Sequence, residues 1–114
     1  MNFILGIDTS CYTTSLAIMD EGGRLIADAR KLLSVKSGNR GLSQSEMVYQ
    51  HTRNLPLLFE QVFDKFDTPI SLKAIGVSAW PRPLRDSYMP AFLVGTGFAR
   101  ALAITDKSRL KQVS

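Results

Sequence analysis

The sequence predicts a mixed α/β lobe of order β-β-β-α-β-α, an antiparallel meander followed by a helical crossover into a parallel strand. Three observations predict it. Apolar runs flank a polar bend in Phe3 to Met19, and Asp20-Glu21-Gly22-Gly23 follows as a hairpin signal, because glycine supplies the positive φ of such turns. A capped stretch with helical periodicity then runs from Ser43 to Phe66. Beyond it lies one more apolar run, Leu72 to Ser78, which a helical crossover can bring back parallel to the first strand.

Taken in order, Phe3 to Asp8 reads as a buried strand interrupted only by Gly6. Thr9 to Thr14 crowds hydroxyl groups into a bend. Thr13 to Asp20 is the second strand, with Leu16 and Ile18 on one face. Arg24 to Leu33 is the third, with Leu25, Ala27 and Ala29 expected together. Ser34 to Leu42 is a loop rich in Gly, Ser and Asn. Ser43-Gln44-Ser45-Glu46 fits a reciprocal capping box. The helix after it carries Met47, His51, Leu55, Leu58, Val62 and Phe66 on one face. Pro56 lies inside it, so a kink or two abutting helices is expected, with the end near Phe66. Ala79 to Met89 is a proline-containing loop. Pro90 suits the first turn of a last helix reaching about Ile104, along which Ala91, Gly95, Ala99 and Ala103 form a flat stripe. Thr105 to Ser114 is polar and basic and carries no packing signal.

The bulk properties fit a single domain of 114 residues with an ordinary globular share of apolar residues, 45%. The net charge of +4 is mild, consistent with a solvated basic surface or with an acidic partner such as nucleic acid. Cys11 is the only cysteine, which excludes an internal disulfide. The N-terminus has no basic segment ahead of an apolar core, and no window approaches the roughly 18 apolar residues of a membrane span. A cytoplasmic protein without membrane contact is expected.

The chemistry gathers at the first bend. Asp8 sits where its strand ends, and a carboxylate there suits a hard divalent cation or the amides of the turn. Ser10, Thr13 and Thr14 can donate to phosphate oxygens, together with turn amides, or can serve as turn and strand formers. His51, the only histidine, falls on the apolar helix face and reads as a packed side chain rather than a base for Cys11. One histidine builds no histidine metal site. Gly95-Thr96-Gly97 lies inside a helix and is no dinucleotide fingerprint. Arg82 and Arg85 are loop cations able to meet a phosphate.

The predicted order is that of the first half of the ribonuclease H-like and actin-like ATPase fold. Within it, Ile4-Leu5-Gly6-Ile7-Asp8-Thr9-Ser10-Cys11, followed by Thr14, resembles the opening motif of the glycoprotease family. That group was long labelled O-sialoglycoprotein endopeptidase and comprises largely tRNA threonylcarbamoyladenosine transferases. Ser43-Gln44 with His51 and Leu55-Pro56-Leu57-Leu58 resembles the family's first long helix. Ala74-Ile75-Gly76-Val77 resembles its next strand, and Leu93-Val94-Gly95 with Phe98-Ala99 and Ala101-Leu102-Ala103 the helix after it.

The resemblance implies a metal-dependent hydrolase or transferase parent acting in tRNA modification, with an ATP-type nucleotide and a divalent metal held between two lobes. It assigns Asp8, Thr9, Ser10, Cys11 and Thr13 to the nucleotide side and identifies no catalytic residue and no metal ligand set in this chain. Two departures touch that site. Tyr12 and Thr13 stand where the family's enzymes carry an Asp-Glu pair, and Ala79 to Met89 replaces a Gly-Pro-Gly loop. The family's His-x-x-x-His metal motif follows the segment at which this chain stops. The expectation is therefore an N-terminal lobe, inactive alone, whose partners are a C-terminal lobe and tRNA. The alternative is a non-catalytic module that forms a homodimer or heterodimer through its helix face. A ribonuclease H-like nuclease using Asp8 and Glu46 is a third reading, and the absence of an acid at Ser78-Ala79 weighs against it.

Overall fold

The computed structural model describes residues 2–38, 41–81 and 89–114. Five strands and two helices follow in the order β1 (Asn2–Asp8), β2 (Thr13–Asp20), β3 (Leu25–Leu32), α1 (Gln44–Phe63), β4 (Ser71–Ser78), α2 (Pro90–Asp106) and β5 (Arg109–Val113). They form one sheet of order β3-β2-β1-β4-β5. β1–β2 and β2–β3 pair antiparallel, while β1–β4 and β4–β5 pair parallel.

Local chemistry explains the meander. The Asp20 carboxylate accepts from the amides of Gly22 and Arg24, both at 2.9 Å, and Gly23 supplies φ +85°. Alternation then sends Phe3, Leu5, Ile7, Leu16, Ile18, Ala27 and Ala29 to one face. Leu25 does not join them and is exposed, because a bulge between Ile18 and Met19 shifts the register.

α1 starts as the sequence expects, with the Ser43 hydroxyl accepting from the Glu46 amide at 3.2 Å. The return half of the capping box is not made. The Glu46 carboxylate instead accepts from Gln50, one turn on, at 3.1 Å. Pro56 does not divide the helix, which runs unbroken over 20 residues. It ends at Phe63 rather than Phe66, since the next amides fall back to three-residue bonds, Lys65 to Val62 and Phe66 to Phe63. Phe66 still packs edge-on against Phe3, with ring centroids 5.2 Å apart.

The C-terminal segment corrects the expectation of an unpacked tail. Lys107 takes the left-handed conformation, φ 56°, and closes α2 through a bond from its amide to Ala103. The Ser108 hydroxyl then donates to the Leu72 carbonyl at 2.7 Å, and Arg109–Val113 zips onto β4 as a fifth strand.

Both helices pack on the face carrying Leu5, Leu16, Ile18, Ile75 and Val77. The other face has no helix among the described residues. Around Gly6, Ala17 and Gly76 it forms an open hollow of about 760 Å³. No helix among the described residues is long and apolar enough to cross a membrane.

Candidate functional site

β1 delivers Asp8 to the end of that hollow. The Asp8 carboxylate oxygen Oδ1 accepts from the Ser10 amide at 2.8 Å and from the Ser78 hydroxyl at 2.7 Å. Ser78 closes β4, and the parallel pairing of β1 with β4 is what brings the two strand ends together. Burial works to raise the Asp8 pKa, but the bonds from Ser10 and Ser78 and the nearby His51 outweigh it and hold the group below its ordinary value. Asp8 is therefore an ionised, oriented carboxylate. Ser15 lies opposite Asp8, and Arg30 lies opposite Ser15, so one row across three strands carries an anion, a hydroxyl and a cation on the hollow side.

The bend after Asp8 divides its hydroxyls. Ser10 is half-buried, Thr13 likewise, and Cys11 and Tyr12 are exposed. Thr9 and Thr14 are fully buried. The Thr9 hydroxyl donates to the Ala91 carbonyl at 2.8 Å and accepts from the Gly95 amide at 3.0 Å, tying the bend to α2. Thr14 sits 2.7 Å from His51 Nδ1 and accepts from Asn54 at 3.2 Å. Thr14 is thus a correction: its hydroxyl is spent inside the core and faces no phosphate. Of the sequence-predicted ligand set, Asp8, Ser10, Cys11 and Thr13 share the outer side of the bend, and Thr9 anchors it from below.

His51 behaves as the packed side chain its position implied. It is fully buried, its Nε2 lies 2.9 Å from the Cys11 carbonyl oxygen, and its two ring nitrogens are taken up by that carbonyl and by Thr14 rather than by the thiol. Burial lowers its pKa against the opposing pull of that carbonyl and of Asp8. Arg82 and Arg85 lie outside the described residues. Among the described residues no group of three His, Cys, Asp or Glu gathers as a metal cluster.

Ser78 and Arg30 are the site residues that sequence reading passed over. Neither has a motif. Only strand register places them beside Asp8, and the β1–β4 register contains a shift between Phe3 and Ile4 that no periodicity announces.

The fold that carries this site, a sheet of order β3-β2-β1-β4-β5 with both described helices on one face, has counterparts. No family model matches the chain. Over 102 residues it is 32% identical to the tRNA N6-adenosine threonylcarbamoyltransferase of Pyrobaculum calidifontis, an alignment covering 89% of this chain and 28% of that protein. Among solved structures, YeaZ from Pseudomonas aeruginosa matches with TM-score 0.71 and 20% identity, over 100% of this chain and 44% of that one. The Thermus thermophilus RuvC structure matches with TM-score 0.50 and 14% identity, over 97% of this chain and 63% of that one. The chain spans under a third of the length of the curated relative. It has the ribonuclease H-like, actin-like ATPase fold, and by sequence it is a homologue of the tRNA N6-adenosine threonylcarbamoyltransferases, the family that its opening motif resembles.

Proposed function

We propose that this chain forms one lobe of a nucleotide cleft in a threonylcarbamoyltransferase-like protein, with Asp8 and the Ser10–Thr13 bend facing a metal-bound phosphate. The observation that carries the reading is Asp8. Its Oδ1 accepts from the Ser10 amide and the Ser78 hydroxyl, and these bonds, with the Ser10 side chain beside them, hold the group ionised. A carboxylate so held is suited to a divalent cation, directly or through water. The cation would supply charge neutralisation for the phosphates. The Ser10 and Thr13 hydroxyls then offer donors beside it, and Arg30 offers a positive charge on the same face. An ATP-type nucleotide is the ligand class, and the facing surface comes from a second lobe. Isothermal titration of the protein carrying this sequence should give Mg-ATP binding that Asp8→Ala weakens at least about tenfold, the value of one lost charged contact. Equal affinity in the two proteins would reject the reading.

A second reading is favoured by one surface. α2 turns Leu93, Gly97, Ala101 and Ile104 outward along one face, with Arg100 as the single cation among them, and Leu57 of α1 is exposed as well. Single exposed apolar residues need no explanation, but an aligned stripe suits a partner helix. Tyr12 and Thr13 occupy the places of the acidic pair that the resemblance assigns to the enzymes, and they agree with a module that pairs without catalysing. Under this reading the protein sediments as a dimer, alone or with a homologous partner, and Ile104→Lys returns it to monomer. A monomer with intact Mg-ATP binding would select the first reading.

A further inference from the structure

The exposed bend is fixed from beneath by a buried polar relay whose proton positions can be assigned. His51 Nε2 lies 2.9 Å from the Cys11 carbonyl oxygen. A carbonyl only accepts, so Nε2 carries the ring proton. The neutral ring then accepts at Nδ1, and the Thr14 hydroxyl, 2.7 Å away, gives it its single proton. The Thr14 oxygen in turn accepts from Asn54 Nδ2 at 3.2 Å. Each proton in the series finds one acceptor, and no buried polar side-chain atom among the described residues is left without a partner. The relay spans α1, β2 and the bend. Its direction is therefore set by the fold rather than free to rotate.

We propose that His51 is a positioning residue for the Asp8–Thr13 bend, acting through the Cys11 carbonyl. The proposal rests on the reading of that bend as a phosphate-facing surface. In a trans peptide the carbonyl and the following amide point in opposite directions. Drawing the Cys11 carbonyl toward α1 therefore turns the Tyr12 N–H away from the helix, toward the side where Ser10 and Thr13 present their hydroxyls. No described residue accepts from that N–H. The rest of the bend is pinned by different elements: Thr9 by α2, and the Tyr12 carbonyl by the Leu33 amide at 2.8 Å. Among the described residues, His51 alone bonds the Cys11–Tyr12 peptide. Its contribution is the orientation of one backbone donor for an anionic oxygen.

Two substitutions separate the two ring nitrogens. His51→Gln keeps a donor within reach of the Cys11 carbonyl and gives up the acceptor for Thr14. His51→Asn keeps an acceptor for Thr14 and is too short for Cys11. Amide hydrogen exchange at Leu33 and Ser10, whose bonds flank the peptide, reads the order of the bend without any ligand. Exchange should rise about tenfold in His51→Asn and stay within about twofold of wild type in His51→Gln, the difference made by one hydrogen bond. Mg-ATP affinity should follow the same ranking. Nitrogen NMR of the wild-type ring should find the Nε2–H tautomer, a readout that needs no variant to fold. An Nδ1–H tautomer, or equal exchange in the two variants, would overturn the proposal. Absence of Mg-ATP binding by wild type would defeat the nucleotide reading alone, because exchange and tautomer still decide the role of His51.

Discussion

At the scale of single residues, the site is governed by which neighbour a polar atom finds. Thr9 and Ser10 are adjacent hydroxyls with opposite fates, one buried against α2 and the other at the edge of the bend. A bend has no period of two, so the sequence could nominate both and separate neither. His51 was legible, because a lone histidine on an apolar helix face needs partners, and it finds them in Thr14 and the Cys11 carbonyl. Its burial has a consequence for acid stability. Burial lowers its pKa in the folded chain, so the unfolded imidazole takes a proton first as pH falls through its ordinary value of 6.5. Protonation then draws the chain toward the unfolded state, and the stabilisation is present in full above 6.5 and lost below it. Asp8 acts in the same direction at lower pH, below its ordinary value of 3.8. The urea midpoint should fall between pH 7.5 and pH 5.5, and it should fall less in His51→Gln. An unchanged midpoint in wild type would mean that the ring is not buried neutral.

At the scale of elements, α2 gives the most discriminating comparison. Its two interior glycines look alike in sequence and differ in surroundings. A Cβ on Gly95 would sit 2.9 Å from the Thr9 hydroxyl oxygen, 3.3 Å from Val77 and 3.4 Å from Ile7. A Cβ on Gly97 would meet nothing within 4 Å. Alanine is favoured over glycine in a helix by up to about 1 kcal/mol. Gly97→Ala should therefore stabilise the chain by that order. Gly95→Ala must wedge α2 away from β1 and β4 and break the tie through Thr9, a strain of about 1–3 kcal/mol that outweighs the gain. Thermal melts of the two variants should move in opposite directions, and a shared direction would show that α2 does not lie flat on the sheet. The flat stripe Ala91-Gly95-Ala99-Ala103 was readable from spacing, because four-residue intervals fall on one face. β5 was not. The residue that turns the chain into it, Lys107, holds a left-handed conformation usually given to glycine, and Arg109-Leu110-Lys111-Gln112-Val113 has few apolar side chains to advertise a strand. Its stability comes from backbone pairing with β4, which composition does not report.

At the scale of the whole molecule, the sheet is covered on one side and, among the described residues, bare on the other. The helix side follows from the alternation of buried residues in β1, β2 and β4, and so the two-layer arrangement was largely written in the pattern. The bare side carries the site at one end, Asp8, Ser15 and Ser78, and small residues at its centre, Gly6, Ala17 and Gly76. Gly76 tests what that face meets in solution. A Cβ there would find no atom within 4 Å, and the residue has an ordinary negative φ open to any side chain. Glycine inside a strand costs roughly 0.5–1 kcal/mol relative to alanine, so Gly76→Ala should raise the stability of this chain by about that amount. A chain whose bare face is covered in solution, by a second copy or by a further lobe, would respond in the reverse sense. The added methyl would then meet a packed surface and cost about 1–3 kcal/mol, as overpacking does elsewhere. Measuring the same substitution in this chain alone and in a protein that also carries the proposed second lobe separates the two states. Stabilisation alone and destabilisation in the larger protein would place the lobe–lobe contact across Gly76, beside the Asp8 end of the hollow where the proposed phosphate lies. Stabilisation in both would leave the hollow open to solvent along its glycine centre and confine any second lobe to the strand ends.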